Sequence, residues 1–351
     1  MRILVVRLGS LGDIIHALPA VAALRRALPD ARIDWLVDVK HQEIASRVPA
    51  IDARIVLEER TITAWLNAAS TLRRRGYDAA IDFQGLFKSA LLARASGATR
   101  VLGFSMWHLR ERGARAFYTE TSEPDARTPE PDGRTSEPTN PEPHVIRKNL
   151  RLAARLAPSI DPDGPLEFPL SVPSSAAVDD LKRMLGGAPY AVLNPGAAWP
   201  NKRWPAERFG EVAAFLRARH GMRSVMAWGP GEKMLAELAV GVSEGAAVMA
   251  PSLPLLDLMA LLQGARLMVS GDTGPTHIAG ALGVPIVAPF GPTDAARNGP
   301  WDPADIVISR FDECACHYQR RCRVPDRWCL GRLPAPEVMA AITARLGAAG
   351  P

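Results

Sequence analysis

The sequence predicts an α/β protein of two doubly wound, Rossmann-like halves, each built on a parallel sheet. Three observations predict it. Apolar strand-like runs alternate with helical patterns along both halves, which implies βαβ crossovers. A stretch rich in proline at 158–173 (Pro158, Pro162, Pro165, Pro169, Pro173) separates the two runs. The 351 residues are enough for two cores, since single domains usually hold about 100–200 residues.

Residues 1–6 read as a strand and 13–28 as a helix, with Ile14, Leu18, Val21, Leu24 and Leu28 at helical spacing. Strands follow at 33–37 and 79–83, with helical material at 61–75 between them. An arginine-rich helix at 144–156 closes the first half. In the second half, strands are expected at 191–193, 224–228 and 267–269. Helices are expected at 205–220, 233–240, 255–263 and 275–282, with a further strand at 284–289. A last helix, 336–346, could return to either half. The expected domains are 1–165 and 170–333, with 334–351 as a C-terminal helix.

An apolar fraction of 47% with 23% charged residues is that of a soluble globular chain. No apolar run approaches the roughly 18 residues that span a bilayer. The opening MRILVVRLGS reads as a strand and not as a signal peptide. A cytosolic protein is therefore expected. The net charge of +5 is uneven: residues 120–143 hold seven acids against two arginines, leaving the rest near +10. That segment, full of Glu-Pro and Asp-Pro turns, is expected to be a mobile loop. The basic remainder could face an anionic membrane, a phosphorylated acceptor or nucleic acid. Cys314, Cys316, Cys322 and Cys329 lie within sixteen residues. In a cytosolic protein they are either reduced thiols or metal ligands, not a disulfide framework.

The chemistry concentrates at strand ends. Leu267-Met268-Val269 runs into Gly271-Asp272-Thr273-Gly274-Pro275 and a small-residue helix containing His277. Thr273 or Gly274 can cap that helix, and its first amides and dipole make an anion site. An acid precedes this site and an imidazole sits one turn inside it. Leu193-Asn194-Pro195-Gly196 opens into Lys202-Arg203-Trp204-Pro205, where Lys202 is either a point charge for phosphate or a solvated surface lysine. Trp228-Gly229-Pro230-Gly231-Glu232 ends a third strand. Ligands of open α/β sheets bind at the carboxyl ends of strands, where Lys202, Glu232 and Asp272 all fall. The first turn of the chain, Arg7-Leu8-Gly9-Ser10-Leu11-Gly12-Asp13, lacks the dinucleotide fingerprint, so a nicotinamide dehydrogenase is not expected. Asp13 is either a general base held ionised by helix amides or simply a cap.

These segments, with His16-Ala17-Leu18-Pro19, Asp82-Phe83-Gln84-Gly85-Leu86-Phe87-Lys88-Ser89, Thr276-His277 and Phe290-Gly291-Pro292-Thr293-Asp294, resemble the lipopolysaccharide heptosyltransferases of glycosyltransferase family 9. The resemblance implies a GT-B arrangement of two facing Rossmann-like domains. It also implies inverting transfer of heptose from ADP-heptose to Kdo-lipid A or the heptosylated inner core, with no cofactor and no metal. On that basis Asp13 would deprotonate the acceptor hydroxyl. Lys202 and the amides at Thr273 and Gly274 would stabilise the departing diphosphate. Gly196, Glu232, Asp272 and His277 would complete the donor site, Glu232 near the ribose and Asp272 near the heptose. Gly12, Arg110 and Arg147 would serve the acceptor, the arginines holding its anionic groups. Ala197 and Ala198 stand where some relatives place hydroxyls, so backbone amides must serve there or that contact is absent. The cysteine segment resembles one found in protein heptosyltransferases that bind iron through four cysteines, with its first spacing one residue shorter than Cys-x-x-Cys.

The expected partner surface is the anionic inner face of the inner membrane, with the enzyme peripheral and monomeric. Domain closure is expected to bring Asp13 to the donor. The runner-up is a family 9 transferase with another donor sugar or a protein acceptor. A non-catalytic binder of nucleotide sugars or nucleic acid is the reading from another class. No aromatic-plus-basic motif supports nucleic acid, and none is expected as a partner.

Overall fold

The computed structural model describes residues 1–58, 61–122, 144–324 and 328–347. The chain divides into two compact units, Met1–Ser171 and Val172–Pro351.

The first unit runs β1 (Arg2–Val6), α1 (Leu11–Ala27), β2 (Arg32–Asp38), α2 (Gln42–Ala45), β3 (Ala53–Leu57), α3 (Ile62–Arg75), β4 (Ala79–Asp82), α4 (Phe87–Ala95), β5 (Arg100–Gly103), β6 (Glu120–Thr121) and α5 (Val145–Leu156). Its sheet has the order β3-β2-β1-β4-β5-β6, parallel throughout. β1 is an unbroken apolar run, Ile3 to Val6, with no exposed side chain, as a strand covered on both faces must be. α1 and α5 pack together, and Asn149 on α5 donates to the His16 carbonyl at 2.9 Å.

The second unit runs α6 (Ala176–Met184), β7 (Tyr190–Asn194), α7 (Ala206–His220), β8 (Arg223–Met226), α8 (Lys233–Val242), β9 (Ala247–Met249), α9 (Leu255–Gln263), β10 (Leu267–Ser270), α10 (Gly274–Ala281), β11 (Ile286–Phe290), α11 (Ala295–Asn298), β12 (Ile306–Ser309) and α12 (Ala335–Gly347). Its sheet, β12-β11-β10-β7-β8-β9, is also parallel and repeats the first topology. Each order reverses beside its first strand, between β1 and β4 and between β7 and β10. Such switch points leave a crevice at the strand carboxyl ends. α12 returns to the second unit, packing on α7, β11 and β12.

One expectation is corrected. The acidic segment 120–143 does not begin as loop, because Glu120 and Thr121 form the edge strand β6 beside β5. The Arg100 guanidinium grips the Glu120 carboxylate bidentately, at 2.6 and 2.9 Å. The geometry is the planar fork that such pairs favour, and it holds Glu120 below the usual carboxylate range. Residues 123–143 lie outside the described residues.

Candidate active site

At the first switch point, β1 ends in Arg7, which is buried. Its Nη2 lies 2.6 Å from Asp13 Oδ1, and its Nη1 donates to the Phe83 carbonyl just beyond β4. Asp13 Oδ2 accepts from the Ser10 N–H (2.9 Å) and hydroxyl (3.1 Å). The Asp13 side chain is 37% exposed while Arg7 is 7% exposed, so a fixed cation aims a carboxylate that solvent or substrate can reach. The Asp13–Ser10 bond is a helix cap as well. Asp13 therefore completes the cap of α1 with a carboxylate that stays partly exposed.

Neighbouring residues fix this turn. Gln84 Oε1 accepts from the Leu8 N–H at 2.8 Å, tying the β4 end to the β1 end. Asp82, fully buried, accepts from Tyr118 (2.7 Å), Ser89 (2.8 Å) and the Gln84 amide (2.8 Å). Burial pushes its carboxyl up despite these bonds. Gly9 is required by close approach, since a Cβ there would fall 2.7 Å from the His41 ring. Gly12 is buried in the first turn of α1. Arg110 is exposed beyond β5. Arg147, in the first turn of α5, donates to the carbonyls of Pro162 (2.9 Å) and Gly164 (2.7 Å), clasping the proline-rich stretch.

At the second switch point, Asp272 follows β10 and is buried, its side chain 6% exposed. Its Oδ2 accepts from Lys202 Nζ (2.5 Å) and Thr293 Oγ1 (2.8 Å). Its Oδ1 accepts from Asn298 Nδ2 (3.0 Å) and His277 Nε2 (3.2 Å). These four bonds fill a carboxylate's lone-pair positions. Burial alone would raise this carboxyl, but the His277 bond and the Lys202 charge outweigh it and hold it far below the ordinary range. A depressed carboxylate stabilises the fold above its unfolded value of about 3.9 and loses that contribution as pH falls. The stability gap between wild type and Asp272→Asn should therefore be largest at neutral pH and shrink below about pH 4. Thermal melts across pH 7 to 2 check this; a gap independent of pH would refute it.

Lys202 is placed by its neighbours. It ends a short 3-10 turn, Pro200–Lys202. On one side Asn201 Nδ2 donates to the Gln319 carbonyl at 2.8 Å. On the other, the buried Trp204 packs edge-on against Phe209 and donates to the Leu333 carbonyl at 2.9 Å. Between these anchors the Lys202 ammonium lies 4.3 Å from the centre of the Trp199 ring, a favourable seat for a cation. The sequence's alternative of a solvated surface lysine is ruled out, since this side chain is 15% exposed.

α10 begins at Gly274 with Thr273 as its cap residue and Pro275 in the first turn. The amides of a first helical turn have no partner within the helix and favour anions. Thr273 Oγ1 bonds to Ser270 (3.0 Å) and Thr276 (2.9 Å), and Asn194 at the end of β7 donates to Ser270 at 3.0 Å. The β7 and β10 turns are thus tied into one platform. Beside it, Glu232 Oε2 accepts from the Gly229 N–H at 3.0 Å, and Arg203 stands 4.0 Å from Oε1. A Cβ on Gly196 would fall 2.0 Å from that carboxylate, so a larger residue in the turn after β7 forces Glu232 to shift. Gly196→Ala should displace Glu232 and raise the donor KM by about 10-fold, the scale of one lost polar contact. Steady-state kinetics would show an unchanged KM if Glu232 played no part.

The structure thus gathers Lys202, Asp272, Thr273, Gly274 and His277 at one crevice, with Gly196 beside Glu232. Arg7, Thr293, Asn298 and Arg203 were not singled out from sequence. Arg7 and Arg203 lay inside quoted motifs. Thr293 lay in the quoted Gly-Pro-Thr-Asp turn, and Asn298 carried no signal. Of the cysteines, Cys316 and Cys322 have their sulfurs 3.9 Å apart. Burial pushes the Cys329 thiol up to about 12. Among the described residues, no group of three or more His, Cys, Asp or Glu side chains is arranged to hold a metal ion.

Two doubly wound parallel-sheet units, each with a crevice at its strand carboxyl ends, are the architecture of GT-B-type glycosyltransferases. The family model for glycosyltransferase family 9 (heptosyltransferase) matches residues 65–326, and the chain belongs to that family. It is 31% identical over 334 residues to lipopolysaccharide heptosyltransferase 1 of Pseudomonas aeruginosa, covering 92% of this chain and 87% of that one. Among solved structures it resembles the E. coli heptosyltransferase WaaC with ADP-2-deoxy-2-fluoro heptose, with a TM-score of 0.71, 26% identity and 98% and 99% of the two chains covered. A family 9 glycosyltransferase from Veillonella parvula shares the fold, with a TM-score of 0.77, 23% identity and 99% and 97% covered.

Proposed function

We propose that this enzyme transfers heptose from ADP-heptose, with inversion, to the Kdo–lipid A acceptor of lipopolysaccharide. The observation that carries the reading is the Lys202–Asp272–His277 constellation at the N-terminus of α10. It is a site for a charged diphosphate with polar groups beside it. The name of the Pseudomonas relative, lipopolysaccharide heptosyltransferase 1, supports heptose transfer to lipopolysaccharide, and the solved heptosyltransferase with ADP-2-deoxy-2-fluoro heptose supports the donor. Family membership leaves the nucleic-acid binder without support, and it does not favour another donor or a protein acceptor.

In this reading Asp13 takes the proton of the acceptor hydroxyl as that oxygen attacks the anomeric carbon. The bond to the β-phosphate oxygen breaks and negative charge develops on ADP. Lys202 and the first-turn amides of α10 meet that charge, in a water-poor setting where such groups act strongly. As Lys202 moves toward the diphosphate, a lone pair on Asp272 Oδ2 is released for a heptose hydroxyl. His277, Thr293 and Asn298 keep the carboxylate aimed meanwhile. Gly196 and Glu232 take the nucleoside end, and Gly12, Arg110 and Arg147 the anionic acceptor. Among the described residues, no helix is long and apolar enough to cross a membrane. We further propose that the enzyme works as a peripheral protein at the cytoplasmic face of the inner membrane, as a monomer.

The test is mass analysis of products after incubation with ADP-heptose and either Kdo2-lipid A or its heptosylated form. Addition of one heptose to Kdo2-lipid A is expected. Product only with the heptosylated acceptor would move the assignment to a later step, and none with either would overturn it.

A further inference from the structure

We infer that the groove between α3 and α4 is a docking surface for a bilayer leaflet carrying anionic lipid. α3 buries only Ala68 and Leu72, while Ile62 and Leu66 stand 81% and 65% exposed. On α4, Phe87 and Leu91 are 46% and 42% exposed. With Trp65 these residues line an open, largely apolar groove of about 500 Å³. Apolar side chains gathered like this mark an interaction site more often than scattered ones do.

The charge around the groove selects the occupant. α3, α4 and the 3-10 turn Arg112–Phe117 that packs on α4 together carry seven basic residues and no acid. Arg75 is turned to Asp34, but Arg73, Arg74, Lys88, Arg94 and Arg112 are exposed. Glu111, just before that 3-10 turn, accepts from the Phe87 N–H at 2.7 Å. Lys88 Nζ lies 5.8 Å from the Trp65 ring centre at the groove's rim, where a long side chain can keep its stem on apolar surface and its charge in water. A second copy packed here about a two-fold axis would set this basic surface against itself. A leaflet meets both features: exposed apolar side chains enter the headgroup–acyl boundary, and cations meet anionic headgroups. Neither signal anchors firmly alone; together they do.

This inference deepens the reading of a lipid-anchored acceptor and rests on it, but its test contains no acceptor, so the two can fail separately. The full-length chain is sedimented with vesicles of phosphatidylglycerol and phosphatidylethanolamine, and with vesicles of phosphatidylcholine alone. Wild type should favour the anionic vesicles by about 10-fold or more, and added salt should weaken that preference. The triple variant Ile62→Ser/Leu66→Ser/Leu91→Ser should lose about 10-fold or more of that binding. Its melting temperature and its transfer of heptose to a soluble, de-acylated acceptor should stay unchanged. Lys88→Glu/Arg94→Glu should lose the preference for anionic lipid. Wild type that ignores vesicles, or a triple variant that binds them normally, would overturn the inference. So would a solution dimer dissolved by the triple variant, which gives the groove to a second copy, or loss of transfer to the soluble acceptor, which gives it to acceptor binding.

Discussion

Replacing Asp13 with Asn should lower kcat by about 10²–10⁴-fold, the usual contribution of a positioned general base, with little change in ADP affinity. The second half of that expectation follows from placement. In the proposed reading the donor is held by Lys202, Asp272 and Glu232, which belong to the unit Val172–Pro351, whereas Asp13 belongs to the unit Met1–Ser171. The choice of Asn separates the cap from the proposed base role. An amide oxygen can still accept from the Ser10 N–H, so the cap survives, but it cannot take a proton at neutral pH. Asp13→Ala removes both and should add a stability loss of about 1 kcal/mol, typical of a lost cap. Kinetics, thermal melts and ADP titration of both variants decide the matter. A melting-temperature loss in Asp13→Ala with kcat retained in Asp13→Asn would leave Asp13 a cap and nothing more. Arg7 bears on the same result, because Asn leaves its guanidinium without the charge it pairs with at 2.6 Å. Some loss of stability in Asp13→Asn is therefore compatible with the base role, provided kcat falls far more.

The fold was legible where an apolar run or helical spacing is long enough to stand out, and the short buried β5 was missed. β1, β7 and β10 are short apolar runs buried on both faces, and α1 carries its apolar residues at helical spacing. The sequence missed other elements where no such run stands out. β6 is two half-buried residues held by an ion pair and one neighbouring strand. β3 and β12 are edge strands with mixed burial, so neither shows a clean run or a clean alternation. α3 was found from its pattern, but the pattern misstates its surroundings, since Ile62 and Leu66 face outward.

The site divides along similar lines. Asp272, Thr273, Gly274 and His277 are contiguous and sit on one strand–helix turn, so local chemistry exposes them. Lys202 is separated from Asp272 by 70 positions and was readable only because both fall at carboxyl ends of strands in one sheet. Thr293 and Asn298 reach Asp272 from the turn after β11 and from α11. Nothing in a single sequence says that these side chains turn inward. Arg7 lay inside a quoted motif, but only its burial and its contact show that it aims Asp13.

Lys202→Ala should reduce kcat by about 10²–10³-fold, the cost seen when one charge-stabilising donor is removed from a developing anion. The effect should fall on kcat more than on donor KM, because the charge that Lys202 meets is greatest as ADP departs. Structure contributes a competing effect. With its ammonium 2.5 Å from Asp272 and both side chains largely buried, Lys202 also balances a buried carboxylate. Losing it should destabilise the protein by roughly 1–3 kcal/mol, the range for a charged group stripped of one hydrogen bond. Asp272 keeps His277, Thr293 and Asn298, which should hold the loss within that range. Lys202→Arg separates charge from geometry. A guanidinium keeps the positive charge and can stack on Trp199, but its planar fork does not fit a space shaped for a compact ammonium. Stability should recover most of the way and kcat only in part. Paired melts and steady-state kinetics of the two variants read this directly. Full recovery of kcat in Lys202→Arg would reduce the role of Lys202 to net charge at the crevice. A destabilised Lys202→Ala with unchanged kcat would make the pair structural and leave the α10 amides to stabilise the leaving diphosphate alone.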